Sequence, residues 1–387
     1  MITRFLTPTI LKYLNHFPAV AIIGPRQSGK TTLAKLIQTL IKKESTYLDL
    51  ERLEDLAKIE NPALYMENRK EECIILDEIQ RRPELFPEMR SLIDRHRVPG
   101  RFLILGSAGP DLIRQSSESL AGRITYVELT PFHILEINAE DTDKLWINGG
   151  FPEPFLSQDD QIRQAWHQSF ITTFIERDLP ILGLNTSPVQ LRKFVNMISG
   201  IQGSILNSQM LSRSMGTSAT TVMRWLDYLE KSFLIRRLPP YYLNIKKRLV
   251  KSQKLYIRDT GILHSILGIT TFKQLSDSIQ IGASWESFVI EQIITNMGKH
   301  LQAWFYRTHE GTECDLLLTR NNVPVACLEI KIAAVPKRTR SLTLAINDLK
   351  TNQNFIIVPK CDETFSLTEN ITVCQLNTFV NQYLPGI

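Results

Sequence analysis

The segment Gly24-Pro-Arg-Gln-Ser-Gly-Lys-Thr31 restricts the fold of this chain more than any other stretch. Its two glycines allow backbone N–H groups to turn inward around phosphate oxygens, and a lysine and a hydroxyl residue follow them. An apolar run at residues 19–23 comes before the loop and a helical pattern comes after it, which is the context that such a loop requires. We therefore predict a phosphate-binding loop made of Gly24, Pro25, Arg26, Gln27, Ser28, Gly29, Lys30, Thr31 and Thr32.

A second motif, Cys73-Ile-Ile-Leu-Asp77-Glu78, predicts a buried strand that ends in two carboxylates. In a site of this kind Lys30 reaches the β- and γ-phosphates of ATP, while Thr31 and Asp77 hold Mg²⁺. Glu78 is placed to polarise the water that attacks the γ-phosphorus. Because the two motifs support each other, we predict ATP and Mg²⁺ as cofactors and Lys30 and Glu78 as catalytic residues.

Two further positions fit the same catalytic site. Ser107 ends the next predicted strand, where it could orient the attacking water beside Glu78; the alternative is a simple strand-end cap. Arg123 precedes the predicted strand at Ile124, where it could face the γ-phosphate of a neighbouring subunit as an arginine finger in trans. The alternative for Arg123 is an ordinary surface salt bridge.

The composition is that of a folded chain and excludes few functions. Its 387 residues are 43% hydrophobic, which suffices for a large core and suggests two or three domains. The net charge of +5 is small for this length and gives only weak support for nucleic acid as a partner. No apolar run approaches the roughly 20 residues of a membrane helix, and the first residues do not resemble a signal peptide. We expect a cytoplasmic protein with no membrane partner and with reduced cysteines.

Short apolar runs in the first third of the chain alternate with helical stretches. They predict a parallel sheet buried on both faces, with strands at 19–23, 46–50, 73–76, 101–105 and 124–129. Further along, the pattern becomes helical, and then strand-like again near the C-terminus, at 303–306, 314–318, 325–330 and 355–358. We divide the chain into an ATPase core at 1–137, a helical lid at 138–203, a winged-helix domain at 204–270 and an α/β domain at 271–387.

The proposed winged-helix domain rests on two short helical patterns joined by Gly216-Thr217, with Ser218 as the cap of the second helix. A basic ribbon follows, between Arg236 and Arg258. Cations on such a ribbon would contact DNA phosphates, with little choice of sequence. The alternatives are a docking surface for protein or a solvated basic face. The predicted DNA contacts are Arg224, Lys246, Lys247, Arg248 and Lys251.

A carboxylate cluster is predicted near the C-terminus. Glu329 and Lys331 share one face of a strand, and Asp315 lies on the strand before it. Two carboxylates could hold Mg²⁺ while the lysine positions or deprotonates a water, an arrangement that resembles the PD-(D/E)xK nuclease superfamily, with Glu286 as a further acid. Asp315 faces Glu329 only if the hairpin has an odd loop or a bulge, and we predict one of these. The alternative is a surface hairpin whose carboxylates pair with Lys331 and Arg307.

The motifs together resemble the bacterial and archaeal AAA+-type ATPases that carry a conserved C-terminal domain of unknown function. The resemblance runs along nearly the whole chain. It rests on Phe17-Pro-Ala-Val, the phosphate-binding loop, Leu76-Asp-Glu-Ile-Gln80, Gly106-Ser-Ala, Ser119-Leu-Ala-Gly-Arg123, Leu129-Thr-Pro-Phe132, Gly149-Gly-Phe-Pro152 and Glu176-Arg-Asp178. It implies a AAA+ core followed by a lid and favours Arg123 as an arginine finger, which requires a homo-oligomer. It implies no particular substrate.

Our leading hypothesis is an α/β protein that hydrolyses ATP and associates with DNA, with the nucleotide state coupled to the winged helix and the nuclease-like module. A second hypothesis is a metal-dependent nuclease that ATP regulates, in defence or repair. A third is a nucleotide-dependent switch that binds a protein partner and never contacts nucleic acid.

Overall fold

The computed structural model describes residues 2–107, 119–242, 250–333 and 336–387. These form two compact units. The first runs to Phe132 and also contains Leu179–Leu184 and Asp227–Phe233. The second contains His133–Asp178, Asn185–Leu226 and Leu234–Ile387.

Parallel strands form the centre of the first unit. They are β1 Ala19–Gly24, β2 Ser45–Asp49, β3 Cys73–Asp77, β4 Phe102–Ser107 and β5 Ile124–Glu128. Their order in the sheet is β2-β3-β4-β1-β5, and every described pair is parallel. The helices of this region are α1 Thr7–Leu14, α2 Lys30–Leu40, α3 Leu53–Lys58, α4 Pro62–Glu67 and α5 Leu85–Arg95. The predicted parallel-sheet core is confirmed.

Alternate residues of each central strand enter different hydrophobic clusters. In β1, Ala19 and Ala21 belong to one cluster, whereas Val20 and Ile22 belong to the other. The strands β3 and β4 divide in the same way, so the sheet is buried on both faces. Each fully buried aliphatic or aromatic side chain contributes roughly 1.5–3 kcal/mol of transfer free energy. This burial holds the carboxyl ends of β1, β3 and β4 rigidly side by side.

Helices predominate in the chain after Phe132. They are α6 Thr142–Asn148, α7 Pro152–Leu156, α8 Asp160–Thr173, α9 Pro188–Gly200, α10 Ser208–Met215, α11 Ala219–Lys231, α12 Thr260–Ile266, α13 Phe272–Ser276, α14 Ile281–Asn296 and α15 Arg340–Leu349. Single helical turns lie at Leu179–Ile181 and Leu376–Thr378. The pair α10 and α11 has the predicted form: Gly216 adopts the left-handed conformation after α10, and Ser218 Oγ accepts a hydrogen bond from the Thr221 N–H at 3.1 Å.

The second unit also contains a mixed sheet and a two-stranded ribbon. The ribbon consists of β6 Ile235–Leu238 and β7 Lys254–Ile257, which are antiparallel. The sheet has the order β12-β13-β11-β10-β9-β8. Its strands are β8 Leu301–Arg307, β9 Glu313–Arg320, β10 Val323–Ile330, β11 Gln353–Val358, β12 Phe365–Thr368 and β13 Ile371–Gln375. The last two strands were not predicted.

The chain next to the ribbon is joined to the edge strand β8 by backbone hydrogen bonds. The N–H of Tyr241 donates to the carbonyl of Phe305 at 2.7 Å, and the N–H of Phe305 donates to the carbonyl of Pro239 at 3.0 Å. The N–H of Val250 donates to the carbonyl of Arg307 at 3.1 Å. The predicted wing is therefore joined to the C-terminal sheet at this edge.

The β9–β10 hairpin determines whether Asp315 lies opposite Glu329. Its loop is the pair Asn321-Asn322, and both residues have positive φ, as a tight two-residue turn requires. The register then shifts between Pro324 and Ala326, so that Leu328 pairs with Leu316. Of the two predicted possibilities, an odd loop or a bulge, the structure shows the bulge. The bulge places Asp315 one step beyond the Leu328–Leu316 pair, level with Glu329.

Candidate functional site

The phosphate-binding loop connects β1 to α2 and is shaped by three backbone positions. Gly29 has φ 93°, and Gln27 also has a positive φ of 61°, so a non-glycine residue makes part of the turn. Gly24 is required for a different reason, because a Cβ atom there would lie 2.2 Å from the carbonyl oxygen of Leu129. Right- and left-handed residues in alternation turn successive backbone N–H groups into a concave, anion-binding surface.

Lys30 begins α2 and is only 5% exposed. Its ammonium group donates to the carbonyl oxygens of Pro25 at 2.7 Å and Gly24 at 3.2 Å, so it lies across the loop. The hydroxyl of Ser28 is buried and has no hydrogen-bond partner among the described residues. The positive end of α2 points at the same loop. A buried cation, an unpartnered hydroxyl and a helix N-terminus at one place fit a phosphate ligand.

Asp77 connects the second motif to the loop. Its Oδ2 atom accepts hydrogen bonds from Thr31 Oγ1 at 2.7 Å and from the Tyr47 hydroxyl at 2.5 Å. Its Oδ1 atom accepts from the N–H of Glu78 at 2.9 Å. Burial and the neighbouring Asp77 carboxylate raise the pKa of Tyr47, so Tyr47 remains a donor at neutral pH. The structure thus brings Thr31 and Asp77 together as predicted and adds Tyr47, which sequence reasoning missed.

Glu78 has φ 56° and ψ 43°, a left-handed conformation that is uncommon for this residue type. Such a conformation costs on the order of 1–3 kcal/mol and is found most often at functional sites. The Glu78 carboxylate is half-buried and accepts a hydrogen bond from the side-chain amide of Gln80. The Glu78 carboxylate thus lies at a strained turn and is held by a hydrogen bond from Gln80.

Ser107 and Arg123 lie at opposite ends of the parallel sheet. Ser107 pairs with Gly24 at the carboxyl end of β4, beside the loop, as predicted for its position. The carbonyl of Arg123 accepts from the N–H of Ala19, at the amino end of β1. The guanidinium group of Arg123 forms a bidentate salt bridge with Asp94 at 2.6 and 2.9 Å. Arg123 therefore cannot reach the loop of its own chain, from which it is about 16 Å away along the strand.

Arg4 stabilises the phosphate-binding loop, a role that we did not predict from the sequence. Its guanidinium group is buried and donates to the carbonyl oxygens of Ser28 at 2.8 Å and Thr130 at 2.6 Å. It also lies 5.0 Å from the ring centroid of Phe132. Arg4 therefore ties the phosphate-binding loop to the segment that follows β5.

The C-terminal cluster forms a second concentration of charge, in the second unit. Glu329 pairs with Lys331 at 2.9 Å and accepts from the Thr339 hydroxyl at 3.0 Å. Asp315 accepts from the N–H of Ile330 at 2.8 Å. Burial, followed by the charge of Glu286, raises the pKa of Asp315 to about 7. The four predicted residues thus lie in one region, but within the described residues no three or more His, Cys, Asp or Glu side chains are placed to hold a metal ion.

Lys254 lies among the acids of this region. Its ammonium group lies 2.9 Å from Glu313, 3.0 Å from Glu286 and 3.9 Å from Asp315. We expected Lys254 to contact phosphates as part of the basic ribbon, and this is wrong because only 3% of it is exposed.

Two other ribbon cations are also used internally. Arg236 and Arg258 both bind Glu291, at 2.7 Å each, and this carboxylate is buried. The prediction that these arginines form a phosphate-binding face is therefore wrong. Among the predicted DNA contacts, Arg224 and Lys251 are exposed. The remaining three lie outside the described residues: Lys246, Lys247 and Arg248.

Three profiles of known protein families match consecutive parts of the chain. A profile of the AAA domain matches residues 16–138. Profiles of two domains of unknown function, DUF8612 and DUF4143, match residues 139–273 and 281–379. Together with the loop geometry, these matches define an AAA-type protein of the P-loop ATPase class with a C-terminal DUF4143 domain.

The uncharacterized protein Rv2008c of Mycobacterium tuberculosis is 38% identical over 358 residues, which are 92% of this chain and 80% of the relative. The uncharacterized protein Mb2031c of Mycobacterium bovis matches with the same identity and coverage. The chain belongs to the family of these two mycobacterial proteins.

Solved structures with a partly similar fold include the Walker-type ATPase PABY2304 of Pyrococcus abyssi. It is 14% identical, with a TM-score of 0.48, and the match covers 69% of this chain and 96% of that one. The replication initiator DnaA bound to AMPPCP and single-stranded DNA is 15% identical, with a TM-score of 0.31, over 60% of this chain and 90% of that one. In the part of the chain that the structure describes, helices fall short of the length and apolar character that a membrane crossing demands.

Proposed function

We propose that this protein binds ATP with Mg²⁺ at residues 24–32 and hydrolyses it. The observation that carries the proposal is the 2.7 Å hydrogen bond between Thr31 Oγ1 and Asp77 Oδ2, beside the buried ammonium group of Lys30. A hydroxyl and a carboxylate are hard oxygen ligands of the kind that Mg²⁺ prefers, and here they lie side by side at the carboxyl end of β3. Mg²⁺ held by these two residues would neutralise charge on the phosphate oxygens.

The protein residues have distinct roles in this proposal. The loop amides and Lys30 bind the phosphate oxygens and stabilise the charge that develops on them. Glu78 accepts the proton of the attacking water, and its left-handed backbone fixes where the carboxylate points. Ser107 lies beside the loop and assists in orienting that water. Tyr47 holds Asp77 in place through its hydroxyl.

Arg123 is assigned to the γ-phosphate of a neighbouring copy, as part of the same proposal. Its place at the amino end of the sheet excludes a role in its own chain, so a catalytic role requires a homo-oligomer. In the single chain, Asp94 pairs with the guanidinium group of Arg123. In an oligomer, the γ-phosphate bound to a second copy would replace Asp94 as the partner of this group.

The Glu78→Gln variant tests the assignment of the catalytic base. It preserves the size of the side chain and removes its basicity, so ATP binding should persist while turnover falls by about 10²–10⁴-fold. Glu60→Gln is a matched control, because Glu60 is an exposed carboxylate of the same unit. Steady-state phosphate release and equilibrium binding of a fluorescent ATP analogue measure the two quantities. Undiminished hydrolysis by Glu78→Gln would remove Glu78 from this role.

DNA association is a second candidate function, and the helix pair α10 and α11 favours it. Both helices begin with side-chain caps, from Asn207 and Ser218, and Arg224 is exposed on the second helix. Arg224 and Lys251 would contact phosphates, which makes the affinity strongly dependent on salt. A gel-shift series from 50 to about 200 mM salt should show a steep loss of binding, and a flatter slope for the Arg224→Ala and Lys251→Ala variants. Absence of salt-sensitive binding would favour a switch that binds a protein partner.

A further inference from the structure

Lys254 lies on β7 of the ribbon, and its side chain points into the second unit. In the ribbon it pairs with Leu238, and only 4% of its side chain is exposed. The ammonium group lies 5.6 Å from the ring centroid of Phe305, a buried residue of β8. The Phe305 ring therefore lies within cation–π distance of the ammonium group.

Three carboxylates surround the same ammonium group, and they come from two other elements. Glu286 lies on α14, whereas Glu313 and Asp315 lie on β9. The contacts are 3.0, 2.9 and 3.9 Å respectively, and the first two have the length of charge-assisted hydrogen bonds. The Tyr256 hydroxyl donates to the same oxygen of Glu286 at 2.6 Å. The three acids are more exposed than Lys254, with side chains that are 17–27% exposed, so the cation lies at the inner side of the group.

The balance of charge favours a protonated lysine strongly. Burial acts to lower the pKa of Lys254, but Glu286, Asp315 and Glu313 outweigh it and raise the pKa above its ordinary value. Oxygen ligands from several elements that converge on one point are also how proteins bind hard divalent cations. Here the converging point already carries a covalently attached positive charge. A divalent ion would have to displace the ammonium group from contact with at least two carboxylates.

We propose that the ammonium group of Lys254 is the built-in cation of this carboxylate cluster and keeps divalent metal ions out of it while the ribbon is docked on β8. The sequence predicted Mg²⁺ among these acids, with Lys331 as the only lysine of the site. Lys254 comes from a segment about 60 residues earlier in the chain, and it changes that expectation. The ion pairs of the cluster connect the ribbon to α14 and β9. While the ribbon is docked on β8, the C-terminal domain lacks a metal-activated water. The proposal rests on the cluster alone and does not depend on ATP hydrolysis.

Binding of Mn²⁺ to the nucleotide-free protein tests the proposal directly. Free Mn²⁺ is measured by electron paramagnetic resonance for the wild type, Lys254→Met and the control Lys273→Met, which changes an exposed lysine of the same unit. We expect Lys254→Met to gain one site that binds Mn²⁺ at least tenfold more tightly than any site of the wild type or the control. Adding Asp315→Asn to Lys254→Met should remove that site.

Two results would overturn the proposal. One is tight Mn²⁺ binding by the wild type that Asp315→Asn abolishes, because the metal and Lys254 would then coexist. The other is a folded Lys254→Met protein with no gained site. If Lys254→Met does not fold, the double variant Lys254→Met/Glu286→Gln removes one negative charge together with the positive one. Its circular dichroism spectrum establishes folding, and gain or no gain of a Mn²⁺ site on Glu313 and Asp315 then decides the question.

Discussion

Two buried lysines, one in each unit, have opposite surroundings. Lys30 and Lys254 are 5% and 3% exposed, so burial does not distinguish them. Lys30 donates to carbonyl oxygens of a glycine loop at the start of a helix. Lys254 lies among three carboxylates.

The neighbours of a buried cation, and not its burial, therefore decide whether its charge is available to a ligand or is used within the fold. Carbonyl groups and helix dipoles leave a lysine's positive charge able to attract an anion. Carboxylates neutralise that charge within the protein, so that little attraction remains for an external ligand. On this basis the proposed ATP site is the one in the first unit, and the ions of the second unit pair with each other.

Replacing each lysine by methionine should separate the two roles most clearly. Lys254→Met removes the cation that three acids share, of which Glu313 also pairs with Arg307, and we expect the free energy of unfolding to fall by about 3–5 kcal/mol. Lys30→Met removes hydrogen bonds to two carbonyl groups and should cost about 1 kcal/mol. Urea unfolding followed by circular dichroism measures both. Equal losses in the two variants would contradict the distinction.

At Glu291 the signs of the charges are reversed, because one carboxylate lies between the guanidinium groups of Arg236 and Arg258. Burial acts to raise its pKa, but the two guanidinium groups outweigh it and lower the pKa from 4.5 to about 2. The folded state therefore binds fewer protons than the unfolded state between these values, and the stabilisation is complete above about pH 4.5 and lost as the pH falls toward 2. The stability difference between the wild type and Glu291→Gln should shrink by about 3 kcal/mol from pH 6 to pH 2. A difference that does not change with pH would exclude this charge balance.

Arg4 tests how rigidly the loop of the first unit must be held. Arg4→Lys keeps the positive charge but cannot bridge the carbonyl groups of Ser28 and Thr130 with a planar fork. We expect KM for ATP to rise about tenfold, equivalent to about 1.4 kcal/mol, with a smaller change in kcat. Arg52→Lys serves as the control, because Arg52 is an exposed arginine of the same unit. An unchanged KM in Arg4→Lys would show that the loop holds its shape without this support.

The parallel core could be predicted from the sequence because its strands are buried on both faces and read as continuous apolar runs. The same holds for Thr31 and Asp77, whose meeting follows from the strand-loop-helix context and the order of the motifs. The strand Phe365–Thr368 escaped prediction because it is short, polar at two of its four residues and paired with one neighbour.

The contacts that could not be predicted join residues far apart in the chain. Arg4 reaches Thr130, Tyr47 reaches Asp77, and Lys254 reaches Asp315, and no local pattern marks any of these pairs. The hairpin is an intermediate case. Asp315 can face Glu329 only if the hairpin contains one extra residue. The structure shows that this residue forms a bulge after Pro324 and does not lengthen the loop.

Equilibrium titration of the wild type and Lys30→Met with a fluorescent ATP analogue, with and without Mg²⁺, measures whether the phosphate-binding loop binds ATP. We expect saturable binding by the wild type that Mg²⁺ strengthens, and an affinity at least tenfold weaker in Lys30→Met, equivalent to at least about 1.4 kcal/mol. No saturable binding by folded wild-type protein, or equal affinities in the two proteins, would contradict this expectation.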